Sequence, residues 1–412
     1  MRARFTAFKG YFLMKKQKQK RIPLKTLEQV QKPISEAQGL PNEVYSDPHY
    51  FNFERDHIFA KTWAALTYSS DCSSLSYAVP IEFMGLPLMI FRDADGELKV
   101  FHNVCSHRGM IVLAEARTLK KSISCPYHGW TYDLAGNLKG TPNIGGAGIH
   151  KVEGFSCESH RLREVTSFEW MGIVFINIEG SAPDFEDYIA PLEKRWEPWT
   201  GKKGLRKVSV ASEGSHMDLQ VNCNWKLAIE NYCEAYHLPM VHPGLNTYSP
   251  LKDHINVIAS ENMSGQYSQC YTLASLDGLI LPQFEAWPSE ERDQAEYISV
   301  FPNLLLGVQI DHMFSIILQP LSESATLERV QLSFLGDGAS SDKYADCREN
   351  VLSSWKEVFE EDIFVVEGMQ KGRRSTGFEG GVFTPLMDES THHFHGWLAK
   401  RYQDAQTELE DE

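Results

Sequence analysis

Cys105-Ser106-His107-Arg108-Gly109 and Cys125-Pro126-Tyr127-His128-Gly129-Trp130 are two short pairs of metal-binding side chains, with seventeen residues between His107 and Cys125. Two Cys/His pairs ordinarily mean structural zinc, but zinc pairs are usually C-x2-4-C and H-x3-5-H, whereas each pair here is mixed. A [2Fe–2S] centre with two thiolates on one iron and two imidazoles on the other needs one ligand of each kind from each loop. C-x-H followed by C-x-x-H supplies that set, with Cys105, His107, Cys125 and His128 as ligands. Imidazole in place of thiolate raises the cluster's potential into a range suited to passing single electrons to an oxygen-activating site. Gly109 and Gly129 let the backbone approach the sulfurs, and Pro126 stiffens the second loop.

With Arg108-Gly109 after the first pair and Gly129-Trp130 after the second, the doubled motif resembles the Rieske family. The flanking sequence gives it a β frame. Leu86 to Phe91 and Leu98 to Val104 read as strands joined by a turn at residues 92–97, and Trp130 to Leu138 reads as a second hairpin turning at Ala135-Gly136-Asn137. Tyr50 to Trp63 has helical spacing, with Phe51, Phe53, Ile58, Phe59 and Trp63 as its buried face. The β domain is expected to close near Ile173 to Ile178.

The length of 412 residues allows two domains, and the net charge of −15 argues against a nucleic-acid partner. Eight cysteines in so long a chain do not suggest a disulfide framework, so a reducing, cytoplasmic setting fits. No apolar run approaches the ~18 to 20 residues needed to cross a bilayer. Residues Met1 to Thr26 contain no acid, and Lys15, Lys16, Lys18, Lys20 and Arg21 cluster after Met14. Because this charge follows the short apolar stretch and no small-residue cleavage site is evident, a disordered arm, or a true start at Met14, accounts for it better than a transit peptide. The acidic end, Glu408 to Glu412, reads as solvated.

The expected organisation is therefore a basic arm over 1–45, a cluster domain with its leading helix over 46–180, a Pro/Gly-rich linker over 181–205 and a second domain over 206–412. In the second domain, Tyr297 to Leu306, Met313 to Pro320 and Leu327 to Phe334 read as strands of one antiparallel sheet, and Trp225 to Tyr236 and Lys343 to Gln370 as helices.

A second metal site is expected on those helices. Glu230, Glu234 and His237 fall at i, i+4 and i+7 of the first, with Pro239 ending it just before His242. On the second, Asp362 lies inside an apolar stripe that includes Val358 and Val366, where a carboxylate is costly unless it is paired or binds metal. Glu360 and Glu361 are expected to face solvent. Two imidazoles and a carboxylate with open positions are what non-haem Fe(II) needs to bind O2.

Taken together, these residues resemble the Rieske non-haem iron oxygenases, the family of ring-hydroxylating α subunits. The resemblance implies an α+β chain, an N-terminal all-β Rieske [2Fe–2S] domain followed by a helix-grip (START-like) catalytic domain with an antiparallel sheet. It implies iron on His237, His242 and Asp362, and catalytic roles for Glu234 and Asn231. Glu234 would link the iron site to His128 of a neighbour in a head-to-tail homotrimer. It implies O2 and a small organic substrate, with electrons from NAD(P)H through a reductase, with or without a ferredoxin, and leaves a small subunit open. Ring hydroxylation by a dioxygenase is the first reading. Because the bridging residue is more often Asp in ring-hydroxylating members, Glu234 also suggests the branch acting on quaternary ammonium compounds as monooxygenases or demethylases, of carnitine, choline or glycine betaine type. A Rieske electron carrier, or a binding protein with a degenerate site, would leave the second ligand set unexplained. Tyr232 is a candidate for a cation cage but reads more simply as core, as do Cys223, Cys233 and Cys270, while His392, His393 and His395 read as surface or interface residues.

Overall fold

The computed structural model describes residues 20–211, 213–271 and 278–411. Strand Leu86–Arg92 pairs with both Tyr77–Phe83 and Leu98–His102. The turn from Leu86–Arg92 to Leu98–His102 is closed by Asp93, whose carboxylate accepts from the N–H groups of Asp95 and Glu97, each at 3.0 Å. Asp133 repeats the device in the second hairpin, accepting from Ala135 at 3.1 Å and Asn137 at 2.8 Å, as short Asp side chains do when they mimic a backbone turn. Ser122–Ser124, Thr131–Asp133 and Leu138–Gly140 make a small sheet, and Ala64–Tyr68, Ile173–Asn177 and Thr166–Trp170 close the unit.

The second half is one antiparallel sheet. Val208–Ser209 and His216–Val221 both pair with Ala325–Leu335, and the order continues through His312–Ser322, Leu304–Val308, Ala295–Val300 and Met263–Ser268 to His254–Ser260. Its centre is buried on both faces, so that successive residues His312 to Leu318 are all buried, the polar His312 and Ser315 included. Phe314, Ile316 and Leu318 enter the core beneath the long helix Ala345–Gly372 and the C-terminal helix Glu389–Asp411. The alternate residues Met313 and Ile317 enter a second core shared with Trp63, Ala65 and Tyr68. The period-two geometry of a strand thus joins the two halves of the chain. The α+β class and antiparallel sheet are those expected.

Three expectations need correction. Residues 181–205 are no simple linker, because Phe185–Thr200 is a helix. Its Phe185, Tyr188, Ile189, Leu192 and Trp196 are buried at helical spacing, and burying each is worth about 1.5–3 kcal/mol, which outweighs a cost of ~3 kcal/mol for each interior proline, Pro191 and Pro198. Arg195 and the Trp196 indole both hold the buried Glu296, at 2.6 and 2.8 Å. Residues 20–45 of the expected arm pack onto the fold: Ile22, Leu27 and Val30 are buried, and Ile22 exchanges backbone hydrogen bonds with the Gln406 amide at 2.8 and 3.2 Å. Residues 1–19 lie outside the described residues. Tyr297 to Leu306 is two strands, Ala295–Val300 and Leu304–Val308, since Pro302 lacks the N–H a ladder requires. Glu408 and Glu410 are exposed, as expected, on the C-terminal helix, where they pair with Lys61 and Arg21. Among the described residues, no helix is long and apolar enough to cross a membrane.

Candidate active site

The two cluster loops are built alike. Cys105 N–H donates to the Met110 carbonyl and Cys125 N–H to that of Trp130, both at 2.8 Å, while the N–H groups of Gly109 and Gly129 return to the carbonyls of Cys105 and Cys125, both at 3.0 Å. Closing these turns places Gly109 at φ +73° and Gly129 at φ +70°, which residues with a Cβ rarely adopt. Both thiols are buried. The imidazoles of His107 and His128 lie nearer the surface with ring centroids 4.8 Å apart, and His107 stacks on Trp130 at 4.6 Å. Tyr132 Oη stands 3.2 Å from Cys105 Sγ. Nδ1 of His128 is buried without a hydrogen-bond partner among the described residues. Two inward thiols facing two outward imidazoles, one with an orphaned nitrogen, fit a cluster held between the loops.

The second donor set comes from a broken helix. Trp225–Tyr232, capped by Asn224, ends five residues before His237. The N–H of Tyr236, which would have continued it by bonding to the Tyr232 carbonyl, donates instead to Glu234 Oε2, and that carbonyl takes the Gln266 amide at 3.2 Å. Pro239 lies in the first turn of a short helix, Leu238–Val241, and so starts a helix where it was expected to end one. Glu230 consequently does not share a face with His237. It is buried with Tyr45, Arg373 and His395, so His395, expected at the surface, is interior at 2 % exposure. His392 and His393 are half-buried against the carbonyls of Val30 and Ser260.

The structure brings His237, His242 and Asp362 together, with one potential ligand atom of each lying within 4.8 Å of the others. Nε2 of His242 lies 3.0 Å, and Nε2 of His237 3.7 Å, from Asp362 Oδ1. Each imidazole turns Nδ1 to a carboxylate, His237 to Glu234 at 2.6 Å and His242 to Glu361 at 2.7 Å. Burial opposes a proton on His242, yet the carboxylates of Asp362 and Glu361 hold its pKa above the ordinary value. Glu361, expected in solvent, is the residue that sequence reading missed. The rule that a ligating imidazole gives its second N–H to an acceptor points to such a residue.

Asn231, Tyr232, Tyr297, Phe314 and Trp355 line a cavity of about 60 Å³ beside these three side chains. Tyr232 donates its hydroxyl to the Leu306 carbonyl at 2.8 Å. On the far wall the Gln266 amide donates to the carbonyls of Tyr232 and Glu234, leaving Oε1 to accept from His254 Nδ1–H at 2.7 Å. Burial keeps His254 below its usual pKa. A larger cavity of about 360 Å³ shares Leu245, Trp355 and Val358 with the first and adds Tyr248, Tyr271, Glu357 and Glu361. Cys223 and Cys233 are fully buried and Cys270 half-buried.

Residues 62–162 match the model of the Rieske [2Fe–2S] domain, and residues 209–404 that of the ring-hydroxylating alpha subunit catalytic domain. The chain is 28% identical to the carnitine monooxygenase oxygenase subunit of Escherichia coli K12 over 385 residues, covering 90% of this chain and 95% of that one. It is 27% identical to the chloroplastic choline monooxygenase of Arabidopsis thaliana, covering 88% and 82%. A solved structure of the quaternary ammonium Rieske monooxygenase CntA shares the fold at a TM-score of 0.72, with 23% identity, covering 93% of this chain and 100% of that one. A Rieske cluster domain joined to a mononuclear-iron catalytic domain is characteristic of oxygenases and leaves no room for a simple electron carrier. The chain belongs to the Rieske non-haem iron oxygenases, as a terminal oxygenase component.

Proposed function

We propose that the chain is a cytoplasmic monooxygenase of a quaternary ammonium compound, of carnitine, choline or glycine betaine type, in place of the ring-hydroxylating dioxygenase read first. The observation that carries this is the larger cavity. Tyr248, Tyr271 and Trp355 line it together with Glu357 and Glu361, and no Lys or Arg appears among its described lining residues. A methylated cation is attracted by aromatic faces and by carboxylates. An aromatic acid would meet like charge. The names of the relatives, carnitine and choline monooxygenase, favour the same reading.

In this reading His237, His242 and Asp362 hold Fe(II), and Cys105, His107, Cys125 and His128 hold the cluster. Bound there, the mononuclear iron supplies O2 activation and the cluster supplies single electrons, drawn from NAD(P)H through a reductase, with or without a ferredoxin. Glu234 and Glu361 fix the rings of His237 and His242 with Nε2 free. Asn231 and Tyr232 shape the cavity, and Phe314, Phe359 and Trp355 make a wall that keeps water out. Glu234, 15% exposed at its side chain and bonded to His237 Nδ1 at 2.6 Å, would meet His128 of a second copy in a head-to-tail trimer. In the net reaction one C–H bond beside the substrate nitrogen becomes C–O–H. The second oxygen atom leaves as water, with two electrons and two protons. Collapse of that alcohol breaks the C–N bond into an amine and a carbonyl compound.

The test is O2 uptake by the purified oxygenase with a reductase and NADH, offered carnitine, choline, glycine betaine or benzoate. Uptake with one quaternary compound and release of its amine is expected. Uptake with benzoate alone would overturn the reading.

A further inference from the structure

Glu361 belongs to two places at once. Its Oε2 accepts from His242 Nδ1–H at 2.7 Å. Its other carboxylate oxygen has no hydrogen-bond partner among the described residues, and the side chain, one-third exposed, lines the larger cavity. Glu357, one helical turn earlier, lines the same space. Tyr271 and Trp355, also in its wall, stack with centroids 5.8 Å apart and planes 3° apart. The cavity is therefore a place for a cation, and one of its two carboxylates is bonded directly to an imidazole of the metal site.

The two roles interact through charge. A carboxylate on Nδ1–H raises the donor strength of the opposite nitrogen of an imidazole. A cation set against Glu361 offsets part of that negative charge, so His242 becomes a weaker donor at Nε2. We propose that Glu361 is a positioning residue that couples the cavity to the metal site, so that a quaternary ammonium ion in the cavity and a divalent metal on His237, His242 and Asp362 each weaken the other's binding. Linkage makes the effect reciprocal. The nature of the cation rests on the function proposed above, whereas the contact between Glu361 and His242 does not.

The test uses the full chain with its cluster intact and its mononuclear site emptied. Co(II), followed by its visible absorption, is titrated in tetramethylammonium chloride and in sodium chloride of equal strength, while calorimetry measures tetramethylammonium binding separately. In the wild type, tetramethylammonium should raise the Kd for Co(II) about fivefold. Glu361→Gln keeps an acceptor for His242 but removes the charge. It should weaken Co(II) about tenfold and abolish the response, whereas Glu357→Gln should bind tetramethylammonium less well but keep the response. Calorimetric binding in the wild type without any change in Co(II) affinity would overturn the coupling, as would a Glu361→Gln variant that responds like the wild type. Absence of calorimetric binding would overturn the quaternary ammonium reading of the cavity. In that case the Co(II) affinity of Glu361→Gln, if unchanged, would also refute the support of His242.

Discussion

Arg373 Nη2 lies 3.2 Å from Glu230 Oε2, both side chains buried, and this pair ties the end of the helix that carries Asp362 to the helix that leads to His237. Removing one partner of a buried pair leaves an uncompensated charge, so Arg373→Met should cost about 3 kcal/mol in urea unfolding.

The same pair sets a pH dependence. Burial pushes the Glu230 carboxyl up, but His395 and Arg373 pull it down further, to about 2 against an ordinary 4.5. A depressed carboxyl stabilises the fold above its unfolded pKa and ceases to do so as pH falls through its folded one. Roughly 3 kcal/mol should therefore be lost between about pH 5 and pH 2. Glu230→Gln should flatten that part of the stability profile, and an unchanged slope would remove Glu230 from acid unfolding.

Glu234→Gln should keep both metals yet slow turnover roughly 10- to 100-fold, because the residue holds His237 without being a ligand. Iron content and O2 uptake measured on one preparation check this. Unchanged turnover would exclude Glu234 from the path between the centres.

Gly129→Ala should weaken the cluster. An alanine at φ +70° is strained by about 1–2 kcal/mol, and its Cβ would meet Pro142 at 3.4 Å. The EPR signal of the reduced cluster should fall or broaden while the catalytic domain stays folded.

The parts legible in the sequence were those whose meaning is local. The Cys and His side chains of each cluster loop lie within a few residues of one another, and Asp362, which the fold brings to His237 and His242, stood out as a carboxylate in an apolar stripe. Glu361 did not, because its partner His242 is 119 positions away and helical spacing turns it from the stripe. The grouping of Glu230 with Glu234 and His237 failed for a related reason. The helix stops where Glu234 and Gln266 take over the backbone bonds of Tyr236 and Tyr232, and Gln266 lies on a strand that no periodicity connects to this turn. The prolines of Phe185–Thr200 hid a helix whose apolar spacing was present throughout.

The proposed chemistry needs two separate iron centres in one chain, with the mononuclear ion on His237, His242 and Asp362. Iron and acid-labile sulfide per chain, measured on anaerobically purified wild type and Asp362→Ala, test it most directly. The wild type should hold about three irons to two sulfides, and the variant two to two with the reduced-cluster EPR signal unchanged. An Asp362→Ala variant that kept the third iron would contradict the placement of the site.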